Sequence, residues 1–587
     1  MVYIFYQLAI YKSPIVTLVT HMIEWSKQPK SKQLLFVILS GYFLLGIHYF
    51  FPNPGGHGLY LPFNIIGWIF ISLVIGVGFW RIYETRVIQL SKFFSYALLA
   101  TVLLILPLFY RNNDLASWSH HRLLGLVGGV FFYFSLLQFK LSKKESHFFL
   151  YVILGGVVIE SILGISQYYF FPKDNWMGYD TNQNFPYGVF QQKNMMGIFM
   201  VTGCAISLYL LKNDQDFSQF KISYFLLLFM PFSSSILLIA IKSKSAFLSY
   251  FVFLFLAAIK VKIKQKRYQA WVLLSIIGFS IGLMSPKLIQ RKFSERPIAT
   301  VMDSNNSRLV YYKNTFNLFL EEPFHGQGYG SFRSKYREID ASRLAKRPQS
   351  EIKENSKVMD HPHNETLLWA AEGGSLPLIG LFIIAGSYLL MISRARVFKS
   401  LSYLSLIFPI LLSSQVSLPF SLSLTHWITF LSILFITDMH IGKLLKLKFN
   451  LSGIALFPAL AIPLITSNYM FGALQTAKTI IEYEETGLSN HDLLLATKKP
   501  GAWRMKHENY KLKVLYDQGM RTGDKQTLKL FLNESEKFLQ FAPFIHLFRS
   551  METVYRSMGE FEEADAIRKR AEYIYPTQYQ KIYGKNK

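Results

Sequence analysis

Residues 186–211 read "PYGVFQQKNMMGIFMVTGCAISLYLL", a polar run that leads directly into an apolar block. Similar apolar blocks of about 17 to 22 residues recur along the chain, and a helix of this length crosses the hydrocarbon core of a bilayer. Charged residues make up only 17% of the chain, whereas a typical soluble domain has about 25%. The sequence therefore predicts an all-α, polytopic integral membrane protein.

About thirteen transmembrane helices are predicted. The spans are residues 34–51, 61–80, 93–110, 122–139, 147–171, 194–211, 222–241, 245–260, 269–286, 374–392, 401–416, 425–440 and 450–471. The first 25 residues are apolar but contain Lys12 and Pro14, and a span there would place the basic run 26–32 on the outer side. An interfacial helix is therefore predicted for this segment.

The net charge of +26 arises largely from short connections between the apolar blocks. One set of connections is basic, such as "KVKIKQKR" at 260–267, and the other set is nearly free of Lys and Arg, for example "PNPGGHGLY" at 52–60. This alternation is the topological bias of a membrane protein, and it places the basic set in the cytoplasm. It argues against nucleic acid as a partner. Cys204 is the only cysteine, so no intramolecular disulfide can form.

Five regions follow from this topology. They are an N-terminal interfacial and cytoplasmic segment (1–33), helices one to nine with a short outer loop at 172–192 (34–286), a large outer loop (287–362), helices ten to thirteen (363–471) and a C-terminal outer domain (472–587). In that last domain, "YRSMGEFEEADAIRKRAEYIYP" (555–576) has small and aromatic residues spaced as in a tetratricopeptide unit. An ordinary amphipathic helix pair is the alternative.

The large outer loop ends in "MDHPHNETLLWAAEGGSLPLIG" (359–380). His361 and His363 lie two residues apart, and a helix would place Glu365 and Glu372 on one face. A metal site needs three or four ligands at recognisable spacings, which this pattern lacks. A general base fits an imidazole better, since it titrates near neutral pH. The remaining alternative is a helix cap formed by the His-Asn pair at the membrane interface.

The predicted topology places several cations and amides on the outer side. Lys193, Lys244 and Arg308 are candidate anion ligands. Lys and Arg are disfavoured on the outer side, so a cation at such a position is a candidate to bind an anion. Snorkelling or solvated side chains are the alternatives. The amides of Gln191, Gln192 and Asn194 are suited to orienting hydroxyl groups.

These residue types suit the transfer of a group carried on a phosphate to an acceptor hydroxyl at the outer membrane surface. The sequence contains no phosphate-binding Walker loop, zinc signature or nucleophile elbow. We therefore predict no metal and no cofactor.

Four segments resemble those of bacterial protein O-oligosaccharyltransferases of the PglL/PilO type, within the wider O-antigen ligase and polymerase superfamily. The most specific is "YGVFQQKNMMGIFMVTG", which is similar to the glutamine-rich run that opens a span in these enzymes. "HPHNETLLWAAEGGSLPLIG" resembles the histidine signature of the superfamily. The other two are "SRLVYYKNTFNLFLEEPFHGQGYGSF" (307–332) and "LLSSQVSLPFSLSLTHWITFLSIL" (411–434), and the latter adds His426 to the site.

The resemblance implies a metal-independent membrane glycosyltransferase in the bacterial inner membrane, with its active site facing the periplasm. Such an enzyme transfers a preassembled glycan en bloc from undecaprenyl diphosphate to Ser or Thr of a protein, often a type IV pilin. It implies His363 as the essential histidine and Arg308 as the loop arginine. It also implies substrate contacts from Gln191, Gln192, Lys193, Asn194, Lys244, His361, Asn364, Glu372 and His426.

Two alternatives remain within the same chemistry, an O-antigen ligase with lipid A core as acceptor and a polysaccharide polymerase with a growing glycan as acceptor. A polysaccharide flippase or transporter is the non-enzymatic alternative. It predicts charged residues deep within spans and an internal repeat. Glu160 is a lone charge in the fifth span, and the sequence shows no repeated half.

Overall fold

The structure is a computed structural model, and it describes residues 27–111, 113–182, 185–214, 221–258, 265–289, 298–346, 358–497 and 500–576. Most of the predicted interfacial segment and two parts of the large loop, 290–297 and 347–357, lie outside the described residues.

The described part of the chain is almost entirely helical, as predicted. Its first half contains α1 (Lys30–Leu44), α2 (Pro62–Thr85), α3 (Lys92–Ile105), α4 (His120–Leu137), α5 (Lys143–Tyr169), α6 (Lys193–Asn213), α7 (Lys221–Ile241), α8 (Lys244–Ala258) and α9 (Lys266–Ile289). Its second half contains α10 (Ile298–Glu321), α11 (Phe332–Ala345), α12 (Glu365–Gly373), α13 (Ser375–Ile392), α14 (Val397–Ser414), α15 (Pro419–Leu422), α16 (Leu424–Ile441), α17 (Leu456–Glu485), α18 (His491–Leu495), α19 (Arg504–Thr522), α20 (Lys525–Phe541), α21 (Ile545–Ser557) and α22 (Phe561–Ile574).

Twelve helices in the described residues are long and apolar enough to cross a membrane, and they correspond to twelve of the thirteen predicted spans. The prediction of a multi-pass membrane protein is confirmed. The remaining predicted span, 245–260, corresponds to α8. This helix has 15 described residues and is described as far as Ala258.

A small sheet, which the sequence analysis did not predict, interrupts the helical pattern. Strand β1 (Val87–Ser91) pairs antiparallel with β2 (Leu444–Lys448), so that Gln89 lies opposite Lys446. The backbone of Gln89 is bonded instead to Gln138, whose Oε1 accepts from Gln89 N at 2.9 Å and whose Nε2 donates to Gln89 O at 3.0 Å. The side chain of Gln138 therefore covers the edge of β1 that faces away from β2.

The chain divides into two compact units, each built from segments distant in sequence. The first contains Met1–Leu98, Val127–Glu295 and Ala385–Phe471, and the second contains Leu99–Leu126, Arg296–Ile384 and Gly472–Lys587. In the first unit α6 is the central helix. Within its most apolar stretch 94% of the residues are buried, and α5, α7, α8 and α14 pack around it. Its all-round apolar sequence is typical of such a buried helix. The polar run at 186–192 therefore lies at the start of the most buried span.

The second unit has its own apolar core, formed mainly by the C-terminal helices. In α20 the buried residues follow helical spacing, from Leu528 and Phe531 to Phe538 and Leu539, and pack against α19 and α21. Asp524 caps this helix by accepting hydrogen bonds from the backbone N–H groups of Gln526 and Thr527. The same core includes Ala341 of α11 and is flanked by Trp118, so the tail packs onto the large loop and the connection before α4.

Candidate functional site

The glutamine turn, residues 186–192, reverses the chain immediately before α6. Gln191 has a φ of +52°, and Gln192 is extended at φ −139° as the residue that precedes the helix. A positive φ at a residue other than glycine is uncommon and is often retained at functional positions. The turn thus places two glutamine side chains and Lys193 at the first turn of a buried helix.

Two of the three predicted amide ligands have protein partners. Gln192 Nε2 donates to the carbonyl of Gly56 at 3.1 Å, and Asn194 Oδ1 accepts from Ser243 Oγ at 2.9 Å. Gln191 Oε1 is buried but has no hydrogen-bond donor among the described residues. A buried acceptor without a donor costs about 1–3 kcal/mol. This oxygen is therefore the amide atom best suited to accept a hydrogen bond from a substrate hydroxyl.

The start of α8 lies beside the start of α6. Ser243 joins the two helices, since its hydroxyl bonds Asn194 on one side and accepts from Ala246 N at 3.3 Å on the other. Lys193 and Lys244 are the first residues of the two helices, and each helix N-terminus carries a partial positive charge. Lys193 Nζ also lies 4.0 Å from the ring centroid of Phe185. Backbone and side-chain charges together make this region electropositive, as an anion site requires.

His426, a predicted substrate ligand, is fully buried and has protein partners at both ring nitrogens. Nε2 is 3.0 Å from the carbonyl of Met195, so this nitrogen carries the proton and donates. Nδ1 lies 2.9 Å from Ser423 Oγ and accepts from it in the neutral ring. The ring therefore ties α16 to the first turn of α6 and contributes to the site by fixing that turn.

In the second unit, the histidine turn (residues 360–364) leads into α12. His363 has a φ of +57°, and its backbone N–H donates to Nδ1 of His361 at 3.2 Å. The two imidazole rings are edge to face, with centroids 4.5 Å apart, and His363 also stacks on Tyr311 at 6.2 Å. Because Nδ1 of His361 accepts a hydrogen bond, this residue shapes the turn and leaves the His363 ring as the candidate base.

The electrostatic surroundings of His363 keep its imidazole neutral. Burial and the positive charge of Arg308 lower the pKa of His363 from 6.5 to about 4, while Asp360 acts weakly in the opposite direction. At neutral pH the ring is therefore unprotonated and has a lone pair that can accept a proton. Arg308 therefore lies near enough to His363 for its charge to act on the ring.

Asn364, just before α12, and Glu372, near its end, both have protein partners. Asn364 precedes the helix and its Oδ1 accepts from Leu367 N at 2.9 Å, which is the cap that the sequence analysis kept as an alternative. Glu372 Oε1 accepts from Gly330 N and Phe332 N, and its Oε2 forms an ion pair with Arg122. Glu372 therefore fixes the glycine-rich turn of the large loop against the end of α12.

Sequence reasoning did not identify Ser243, Tyr311 or Asp360 as parts of the site. Tyr311 could have been predicted from its spacing, since it lies three residues after Arg308 and therefore on the same helix face. Ser243 and Asp360 act through partners distant in sequence, Asn194 and Arg333, and no local pattern indicates such pairs. Among the described residues, no group of three or more His, Cys, Asp and Glu side chains is arranged to hold a metal ion.

The acid limb of the pH profile tests the pairing of His363 with Arg308. A base must be neutral to act, so we expect activity to be constant from pH 7 to 5 and to fall as the pH drops through about 4. Arg308→Gln removes the nearby positive charge and should therefore shift this limb to higher pH. Lys313→Gln, an exposed change on the same helix, is the matched control. A limb unchanged by Arg308→Gln would contradict the electrostatic coupling.

Two family models match the chain. Residues 227–385 match the family described as O-antigen ligase, and residues 401–586 match the family described as virulence factor membrane-bound polymerase, C-terminal. Together the two matches cover more than half of the 587 residues. No curated protein matches the chain in sequence.

Proposed function

Because the chain belongs to the superfamily of O-antigen ligases and membrane-bound polymerases, we propose that it moves a preassembled glycan en bloc from undecaprenyl diphosphate to a protein. The acceptor is a Ser or Thr hydroxyl of a periplasmic protein, such as a type IV pilin. The protein is located in the bacterial inner membrane and acts on the periplasmic side.

The observation that carries this proposal is the histidine turn. A strained, half-buried imidazole lies beside an arginine and has a pKa low enough to remain neutral at physiological pH. Such a group is suited to take a proton from a hydroxyl while the arginine balances negative charge. The proposal needs both functions, because an alcohol must lose a proton as the diphosphate departs.

The proposed reaction is a direct displacement at the anomeric carbon. The acceptor oxygen forms a bond to that carbon as its proton passes to His363. The bond between the anomeric carbon and the phosphate oxygen breaks, and undecaprenyl diphosphate leaves with the electron pair. Arg308 stabilises the charge that develops during this step. The proton on His363 is then released to solvent, and the residue returns to its neutral form.

In the first unit, the proposal assigns binding of the lipid diphosphate to Lys193 and Lys244. The adjacent starts of α6 and α8 add backbone N–H groups and partial positive charge. Gln191 Oε1, which is buried without a protein donor, would accept a hydrogen bond from a sugar hydroxyl. These residues require no metal to balance the diphosphate.

A second candidate function is ligation to lipid A core or extension of a polysaccharide. The descriptions of the two matched families favour it, since one names O-antigen ligase and the other a membrane-bound polymerase. Donor chemistry is the same in every case. Only the hydroxyl that attacks differs, and the residues described above do not depend on that difference.

A comparison of acceptors tests the proposal. The purified full-length protein, in detergent or nanodiscs, is incubated with undecaprenyl-diphosphate glycan in three separate reactions. The first contains a pilin as acceptor, the second contains lipid A core, and the third contains only excess donor. We expect mass spectrometry to find the intact glycan on Ser or Thr of the pilin. Glycan only on lipid A core, or only longer lipid-linked chains, would overturn the protein acceptor in favour of the second candidate.

A further inference from the structure

Glu160 lies in the middle of the transmembrane helix α5 and is completely buried. An ionisable residue within a span is costly unless partners surround it, and it usually marks a function. Its Oε1 lies 2.6 Å from His48 Nδ1, and its Oε2 accepts from the backbone N–H of Val189 at 3.1 Å. Since both carboxylate oxygens have protein donors, Glu160 does not have the water-facing environment of a transport pathway.

Gln167 lies seven residues further along α5 and therefore on the same face. Its Oε1 accepts from the backbone N–H groups of Tyr187 and Gly188 at 3.0 and 2.9 Å, and its Nε2 donates to the carbonyl of Gly188 at 3.1 Å. Glu160 and Gln167 thus bind three consecutive backbone N–H groups of the glutamine turn. No secondary structure is present at this turn to satisfy those groups, and leaving them unpaired in a buried place would be costly.

Gly188 shows how closely the turn lies against Glu160. It has a φ of +60°, and a Cβ at this position would overlap Glu160 Oε2. Only glycine permits both the left-handed conformation and this approach. Three residues further on, Gln191 is also left-handed, and α6 then begins at Lys193.

We propose that Glu160 and Gln167 form a hydrogen-bonding clamp that positions the glutamine turn, and with it Gln191 and Lys193, for the donor substrate. Both are positioning residues, since neither is assigned a contact with the glycan or the diphosphate. His48 completes the clamp by donating its Nδ1–H to Glu160, and it can do so whether the ring is neutral or charged. The functional part of this inference rests on the proposed function, whereas the structural part does not.

The first experiment compares substitutions of Glu160 in the full-length protein. Glu160→Leu removes both acceptors, and we expect kcat/KM for the lipid-linked glycan to fall about 10²-fold, the effect of misplacing a reactive group by about 1 Å. Glu160→Gln keeps an oxygen that can accept from Val189 N, and it should restore most of this loss. Glu145→Gln, on the same helix in the capping box that Ser142 begins, is the matched control and should leave the rate unchanged.

Equal loss in Glu160→Leu and Glu160→Gln would overturn the clamp, because the charge rather than the hydrogen bond would then be essential. Wild-type rates in Glu160→Leu would overturn it too. Gly188→Ala disturbs the same contact from the turn and should reproduce the loss.

The second experiment measures the accessibility of the glutamine turn and does not depend on enzyme activity. Cys204 is the only cysteine, so a Cys204→Ser background allows Gln192→Cys to be labelled alone with a maleimide. Adding Glu160→Leu should raise the labelling rate, and adding Glu160→Gln should not. An unchanged rate with a monodisperse protein would reject the clamp. A raised labelling rate, together with no glycan transfer by the unsubstituted protein, would support the clamp and reject the proposed function.

Discussion

The substitution His363→Ala is expected to lower the rate of glycan transfer about 10²–10⁴-fold, the usual contribution of general acid–base catalysis. The reason is that the proposal assigns removal of the acceptor proton to the His363 ring, whereas His361 Nδ1 accepts from the His363 backbone N–H and supports the turn. Transfer is measured as glycan on the acceptor by mass spectrometry. His325→Ala, at an exposed position of the same loop, is the control and should not change the rate.

The same assay separates the role of His361 from that of His363. His361→Ala removes the acceptor that supports the left-handed turn, so a smaller loss is expected than for His363→Ala. His361→Asn supplies a side-chain oxygen that can accept from the same N–H and should recover part of the rate. Normal transfer by His363→Ala with an inactive His361→Ala would reverse the assignment.

The second large effect is expected at the starts of α6 and α8. Lys244→Gln and Lys193→Gln each remove a positive charge that the proposal places against the leaving diphosphate. A loss of about 10²–10³-fold is expected for each, as for other groups that stabilise developing negative charge. Steady-state kinetics with undecaprenyl-diphosphate glycan measure it.

Neighbouring substitutions make this test specific. Lys244→Arg keeps the charge and should keep most of the rate. Lys242→Gln alters an exposed lysine two residues earlier, and we expect no change because it precedes the helix start. Equal losses in Lys242→Gln and Lys244→Gln would show that the effect is a general one of surface charge and not a contact with the donor.

The apolar blocks predicted the membrane fold well because a bilayer imposes one length on every span. Twelve predicted spans correspond to helices of the right length and composition. The span at 245–260 is described only as far as Ala258, so its full length stays a prediction. The pairing of β1 with β2 was not predicted, because it joins five-residue segments more than three hundred residues apart.

The candidate site was predictable in part. The resemblance indicated Arg308 and His363, and the structure places them within electrostatic reach of each other. The partners of His426, Glu372 and Glu160 were not predictable, because each is set by tertiary packing between distant segments. Glu160 illustrates this most clearly, since the sequence shows a single charge in a span and only the fold supplies His48 and the glutamine turn.

The pairing of β1 with β2 also has a consequence for synthesis of the chain. Residues 87 and 448 are partners, so at about 5–20 residues per second the ribosome needs on the order of 20–70 s to supply β2 after β1 is made. During that time β1 is an unpaired edge, which is a liability for aggregation. Gln138 is translated within seconds of Gln89 and bonds its backbone N–H and C=O. Gln138, just after α4, can therefore cover one edge of β1 at Gln89 during this time, and the edge that later pairs with β2 is the one left open.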